Sequence, residues 1–148
     1  MPLTPEIDAW LLENGFQLGL NPHGKHPLIL SAQQGRSDVL TYLLEQGADL
    51  TALDTYGNNA LWAACFAEAG DCIGLLLGAG IDINYQNPSG ASALTYASSS
   101  GKHAVVKQLL EAGADPLLTT QDDFSALDLA ANRQCLQLLR SAMKAVQA

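Results

Sequence analysis

The heptapeptide Leu43-Leu44-Glu45-Gln46-Gly47-Ala48-Asp49 decides how the rest of the chain is read. It returns as Leu76-Leu77-Gly78-Ala79-Gly80-Ile81-Asp82 and again as Leu109-Leu110-Glu111-Ala112-Gly113-Ala114-Asp115, so the closing aspartates stand 33 residues apart both times. Upstream of each copy the same step holds. Gly24, Gly57 and Gly90 each lie four residues before Leu28, Leu61 and Leu94, and Asp123 with Leu127 carries the register once more. Self-similarity at a fixed period of this length is the signature of stacked supersecondary units.

Each unit makes physical sense as two short helices. Pro27-Leu28-Ile29-Leu30-Ser31-Ala32 opens on a proline whose missing N–H costs nothing in the first helical turn. Gly35 and Gly101 then interrupt the chain before a second helix, which carries Val39, Leu40, Leu43 and Leu44 in one unit and Val105, Val106, Leu109 and Leu110 in another. That spacing makes one apolar stripe. Between units lie polar, turn-prone stretches, 53–58, 86–90 and 120–123, which predict protruding hairpin turns. A helix pair this small cannot bury its stripe alone, so the units must stack into a helical solenoid.

These residues resemble the ankyrin repeat, a β-turn followed by two antiparallel helices. The family's G-x-T-P-L-H-x-A-A-x-x-G opening stands as Gly24-Lys25-His26-Pro27-Leu28-Ile29-Leu30-Ser31-Ala32-Gln33-Gln34-Gly35, and its L-L-x-x-G-A-D ending is intact at 43–49 and 109–115. The resemblance implies an all-α fold of three to four such units in a single domain over 1–148. Its parts are a truncated N-terminal half-repeat (5–20), repeats over 21–53, 54–86 and 87–119, and a shortened C-terminal capping repeat (120–148). Ile7, Leu11, Leu12 and Gly15 mimic Val39, Leu43, Leu44 and Gly47, whereas the segment from Ala130 to Leu136 has lost residues before its second helix. Two departures stand out. The family's Thr is replaced by His26, Asn59, Ser92 and Ser125 and its His by Ile29, Trp62, Thr95 and Asp128, so the usual hydrogen-bond network between repeats is expected to be largely absent. Glu68 occupies the place of the mid-repeat glycine, which predicts an unusual loop there and makes the second repeat the weak joint.

Composition bounds the function. Hydrophobic residues make up 48% of the 148 and charged ones 15%, enough for a buried core. Seven Lys+Arg against fifteen Asp+Glu give a net charge of −8, which repels phosphate backbones and anionic membrane surfaces, so neither nucleic acid nor membrane is an expected partner. Cys65, Cys72 and Cys135 form no CxxC pair and suit a reducing compartment. The N-terminal stretch has acids where a signal peptide would be apolar, so a cytoplasmic location is expected.

Catalytic chemistry finds little footing, and no enzyme activity, metal or cofactor is expected. His23 and His26 with Asp49 or Asp54 form the best candidate metal set, but exposed turn and helix-start histidines are the favoured reading of the pair and no HExxH accompanies it. Cys65 and Cys72 sit among Glu68 and Asp71, the wrong electrostatics for an activated thiolate, and read as buried packing. Ser98-Ser99-Ser100-Gly101 lacks a nucleophile elbow or a phosphate loop around it.

The resemblance implies instead a concave protein-binding face of hairpin tips and first helices. Carried onto this sequence, its variable positions give Tyr56, Asn58, Trp62, Phe66, Ser89, Ser99, Asp122 and Phe124 as candidate partner-binding residues. Tyr56, Phe66 and Phe124 are aromatics where solvent favours polar residues; Trp62 adjoins them and reads as core filler or as interface. No Lys or Arg occurs between Ser37 and Gly101, while Asp38, Glu45, Asp49, Asp54, Glu68, Asp71 and Asp82 do, an acidic belt that favours a basic partner. The expected function is a monomeric protein–protein interaction module for a basic protein. The degenerate repeats also resemble small bacterial members of the family, so an immunity or antitoxin protein occluding a cationic toxin is the alternative, and self-association through Trp62 and Phe66 a third reading.

Overall fold

The computed structural model describes residues 3–14 and 26–147. Gly15, His23, Gly24 and Lys25 lie outside them, so the His23 half of the candidate metal set and the last residue of the N-terminal mimicry do too. Eight helices and one isolated antiparallel bridge, Thr119 with Ser125, make up the regular structure among the described residues. The chain forms two compact units, 1–81 and 82–148.

The first unit contains α1 (Pro5–Glu13), α2 (Pro27–Gln33), α3 (Ser37–Glu45), α4 (Ala60–Phe66) and α5 (Gly70–Gly78). The expected stripes are buried: Leu28, Ile29 and Ala32 on α2, Val39 and Leu40 on α3, Leu61, Ala64 and Cys65 on α4, and Cys72, Ile73 and Leu76 on α5. α2 packs on α3 and α4, and α5 on α3 and α4. α1 lies on α3, where Ile7 and Trp10 meet Val39. Thr4 caps α1 by accepting from Ile7 N at 3.2 Å, and the Trp10 indole N–H donates to Gln34 Oε1 at 2.6 Å.

The second unit contains α6 (Ala93–Ser99), α7 (His103–Glu111) and α8 (Arg133–Gln147), with α7 between the other two. Its core comprises Leu94, Ala97, Val105, Val106, Leu109, Ala126, Cys135 and Leu139. Where a first helix would stand in the last repeat, residues 126–129 make only a turn, as the shortened spacing before α8 requires.

Repetition extends to the turns. Asp54 N–H donates to Asn58 C=O, Asn87 N–H to Ala91 C=O and Thr120 N–H to Phe124 C=O, at 2.9, 2.9 and 3.0 Å. Asp54 Oδ1 takes the N–H groups of Tyr56 and Asn58, and Asn87 Oδ1 those of Ser89 and Ala91, the local bonding that favours Asp and Asn in turns. Each turn lifts a pair of side chains to its tip: Thr55 and Tyr56, Pro88 and Ser89, Gln121 and Asp122.

Two sequence expectations are corrected here. The loop at Glu68 is not unusual in shape. Its N–H donates to Cys65 C=O and the next N–H to Ala64 C=O, at 3.1 and 3.0 Å, the same pair of bonds made by Gly35 with Arg36 and by Gly101 with Lys102. Glu68 achieves this at φ +54°, beside +69° for Gly35 and +70° for Gly101. A side chain in the left-handed region costs about 1–2 kcal/mol, so repeat geometry has overridden the preference of the residue. The network linking repeats is also not lost in the second unit; other residues supply it. The Ser98 hydroxyl donates to Ala126 C=O at 2.6 Å and the Asn132 amide to Gly101 C=O at 2.8 Å. The Gln86 amide joins Gly90 C=O to Thr119 C=O, both at 2.9 Å, and the Gln121 amide reaches Pro88 C=O at 2.6 Å.

Candidate functional site

A cleft of about 620 Å³ lies in the first unit between α2, the 54–58 turn and α4. It exists because the repeat puts equivalent residues side by side. Ile29 and Gln33 are one helical turn apart on α2, and Trp62 and Phe66 hold the same two positions on α4, one repeat later. Residues four apart share a helix face, so these pairs form opposite walls of the cleft with His26, Leu30 and Ala63. Asp54, Thr55, Tyr56 and Asn58 supply the third wall.

Four of the eight candidate residues, Tyr56, Asn58, Trp62 and Phe66, therefore converge on one site. Tyr56 is 80% exposed and Phe66 59%. Trp62 is half-buried on the cleft wall, fitting neither core filler nor exposed anchor alone. Asn59 fixes this geometry from below: buried, it caps α4 by accepting from Trp62 N at 3.1 Å. Ser89, Ser99, Asp122 and Phe124 belong to the second unit. There Ser89 and Asp122 sit exposed on successive turn tips, Ser99 donates its hydroxyl to Tyr96 C=O at 3.0 Å, and Phe124 is 48% exposed after the 120–123 turn. The α2 wall, Ile29 and Leu30 above all, was not singled out from the sequence. The signal was there: the Trp62–Phe66 pair displaced by one repeat falls on Ile29–Gln33.

Short acids of the belt have local structural work, which explains their number. The Arg36 guanidinium, one residue outside the belt, pairs with Asp38 through two bonds of 3.1 and 3.0 Å and holds its carboxyl below the ordinary range. Asp49 accepts from the hydroxyl and N–H of Thr51, which likewise lowers its pKa. Asp54 organises its turn, Asp71 accepts from Cys72 N and Asp82 from Asn84 N. Only Asp54 lines the cleft.

The cysteines are buried, and burial pushes the Cys72 thiol up to about 11, far from the thiolate a nucleophile requires. Among the described residues no group of His, Cys, Asp and Glu is placed to hold a metal ion, and no helix is long and apolar enough to cross a membrane. The site offers an apolar, aromatic surface with one carboxylate. That equips it for binding.

Comparison with known proteins agrees with this architecture. The family described as Ankyrin repeats (3 copies) matches residues 5–87 and 60–147. Human Ankyrin repeat and SOCS box protein 16 is 36% identical over 108 residues, covering 72% of this chain and 23% of that protein. The mouse B-cell lymphoma 3 protein homolog is 33% identical over 121 residues, covering 81% and 27%. The chain thus spans about a quarter of the length of these curated relatives. Among solved structures, the ankyrin repeat domain of Bcl-3, described as a unique member of the IkappaB protein family, aligns with a TM-score of 0.73 at 32% identity, covering 76% of this chain and 50% of that one. Ankyrin repeats are protein–protein interaction modules whose binding faces come from stacked repeats. With its 33-residue period, helix pairs and capped turns all in that register, the chain belongs to the ankyrin repeat family.

Proposed function

We propose that this chain is a non-catalytic binding module that holds a segment of a partner protein in the cleft between α2 and α4. The observation that carries the reading is the convergence of Tyr56, Trp62 and Phe66 on one cleft, two of them more than half exposed. Exposed aromatic surface is unfavourable in water, and rings of this kind dominate the energetics of protein interfaces. The net charge of −8 and the Asp54 carboxylate on the cleft wall support a basic partner, whose encounter such a field would accelerate.

The test is the affinity of a partner or selected peptide for Tyr56→Ala and Phe66→Ala chains. Each truncation weakens binding by about 2 kcal/mol if the rings anchor the partner. Losses below about 0.5 kcal/mol for both, within the range of peripheral contacts, would contradict the site.

A further inference from the structure

Ala63 is the smallest side chain on the walls of the cleft, and the repeat shows that its size is particular to this place. Counted by the 33-residue period, the same position holds Leu30 one repeat earlier, then Tyr96 and Leu129 in the repeats that follow. A methyl group where the other repeats carry a large side chain leaves a recess beside the rings of Trp62 and Phe66, with Leu30 on the α2 wall. The polar side chains of the same cleft have bonding capacity to spare. Gln33 and Tyr56 are exposed, and neither the Gln33 amide nor the Tyr56 hydroxyl makes a hydrogen bond among the described residues. Asp54 spends Oδ1 on two backbone N–H groups, and no described residue bonds its second oxygen. Among the described residues the backbone forms no strand, only the bridge of Thr119 with Ser125, so no sheet edge is ready to pair with a bound backbone.

We propose that the cleft takes a proline-rich segment of the partner in the polyproline II conformation, with Ala63 as the specificity-determining residue that admits a proline ring. A backbone N–H carried into an apolar, aromatic recess loses its water and must find an acceptor or pay for its burial. Proline has no N–H to lose. The polyproline II helix is preformed and makes no internal hydrogen bonds, so its carbonyls are left to accept from the Gln33 amide and the Tyr56 hydroxyl. Grooves walled by aromatic rings recognise such segments elsewhere by the same economy. Asp54 is the one carboxylate on the cleft wall, and its unspent oxygen complements a Lys or Arg flanking the prolines. The proposal rests on the binding-module reading above and adds the backbone conformation and the seated residue of the bound segment.

The experiment starts from peptides selected out of a random display library on the full chain. Their affinities are then measured with each proline replaced by alanine or by N-methylalanine, and against Ala63→Leu, Gln33→Ala, Tyr56→Ala and Phe66→Ala chains. The expected peptides share prolines flanked by a Lys or Arg. Alanine at a seated proline weakens them about tenfold, and N-methylalanine, which also lacks the N–H, weakens them less. Ala63→Leu installs the side chain of the preceding repeat, fills the recess and weakens them about tenfold at an unchanged melting temperature. Gln33→Ala, at an exposed position that no hydrogen bond of the fold uses, weakens them about three- to tenfold, so a folding defect cannot explain the loss. Peptides that need Tyr56 and Phe66 but hold no proline, or that bind the Ala63→Leu chain equally well, would overturn this inference and leave the binding module standing. Peptides indifferent to Tyr56→Ala and Phe66→Ala would overturn both.

Discussion

At the scale of single residues, Glu68 and Asp123 show the repeat imposing its backbone on side chains that resist it. Asp123, at φ +71°, takes the place that Gly57 and Gly90 hold in the earlier turns, at +80° and +77°. Aspartate tolerates the left-handed region better than glutamate does, so Glu68 carries the greater strain. Glu68→Gly relieves it, against the larger unfolded-state entropy of glycine. The balance predicts a gain of about 0.5–1 kcal/mol, read in a thermal melt as a rise of about 2–4 °C. A lower melting temperature would mean that the carboxylate supports the fold through a contact absent from this structure. The substitution itself was legible in the sequence, as an acid out of register, but its consequence was read wrongly. A missing glycine implies a changed loop only if the chain is free to change it, and here the bonds to Cys65 and Ala64 fix the loop from both sides.

At the scale of elements, short helices depend on their ends. A seven-residue helix is far below the length at which helices are stable alone, so capping and packing decide whether it forms. α6 starts on a complete capping box: Ser92 Oγ accepts from Thr95 N at 3.1 Å while Thr95 Oγ1 accepts from Ser92 N at 2.8 Å. Both residues are buried, so water cannot replace the lost bonds. Ser92→Ala is expected to lower stability by about 1 kcal/mol, seen as a lower denaturant midpoint at unchanged slope. An unmoved midpoint would show that packing alone holds α6 in place. Helix pairs, their order and their buried faces were all legible in the sequence because a repeat states them three times. The bonds between repeats were not. Ser98, Gln86, Gln121 and Asn132 stand outside the Thr and His positions that carry the family's motif, and only the folded backbone shows which carbonyls they reach.

At the scale of the whole molecule, charge and apolar surface divide the work. The belt of acids gave the sequence its most visible surface feature, yet most of its members hold turns and helix starts. The cleft, by contrast, combines aromatics from the 54–58 turn and α4 with an aliphatic wall from α2 that no local pattern marks as a site. Half of it was legible in the sequence, because exposed aromatics are conspicuous in a polar register, whereas buried Ile29 looks like any core residue until its neighbour across the cleft is known. The same logic left Ser89, Ser99, Asp122 and Phe124 as candidates of equal rank, which the first-unit cleft does not include. The central claim is that the partner sits in that cleft. It is tested most directly by nuclear magnetic resonance, following the backbone and indole N–H signals of the chain as a selected peptide is added. Binding in the cleft predicts that the Trp62 indole and the amides of Tyr56, Asn58 and Phe66 shift together and saturate at one affinity. Saturating shifts confined to Ser89, Ser99, Asp122 and Phe124, with Trp62 unmoved, would contradict it.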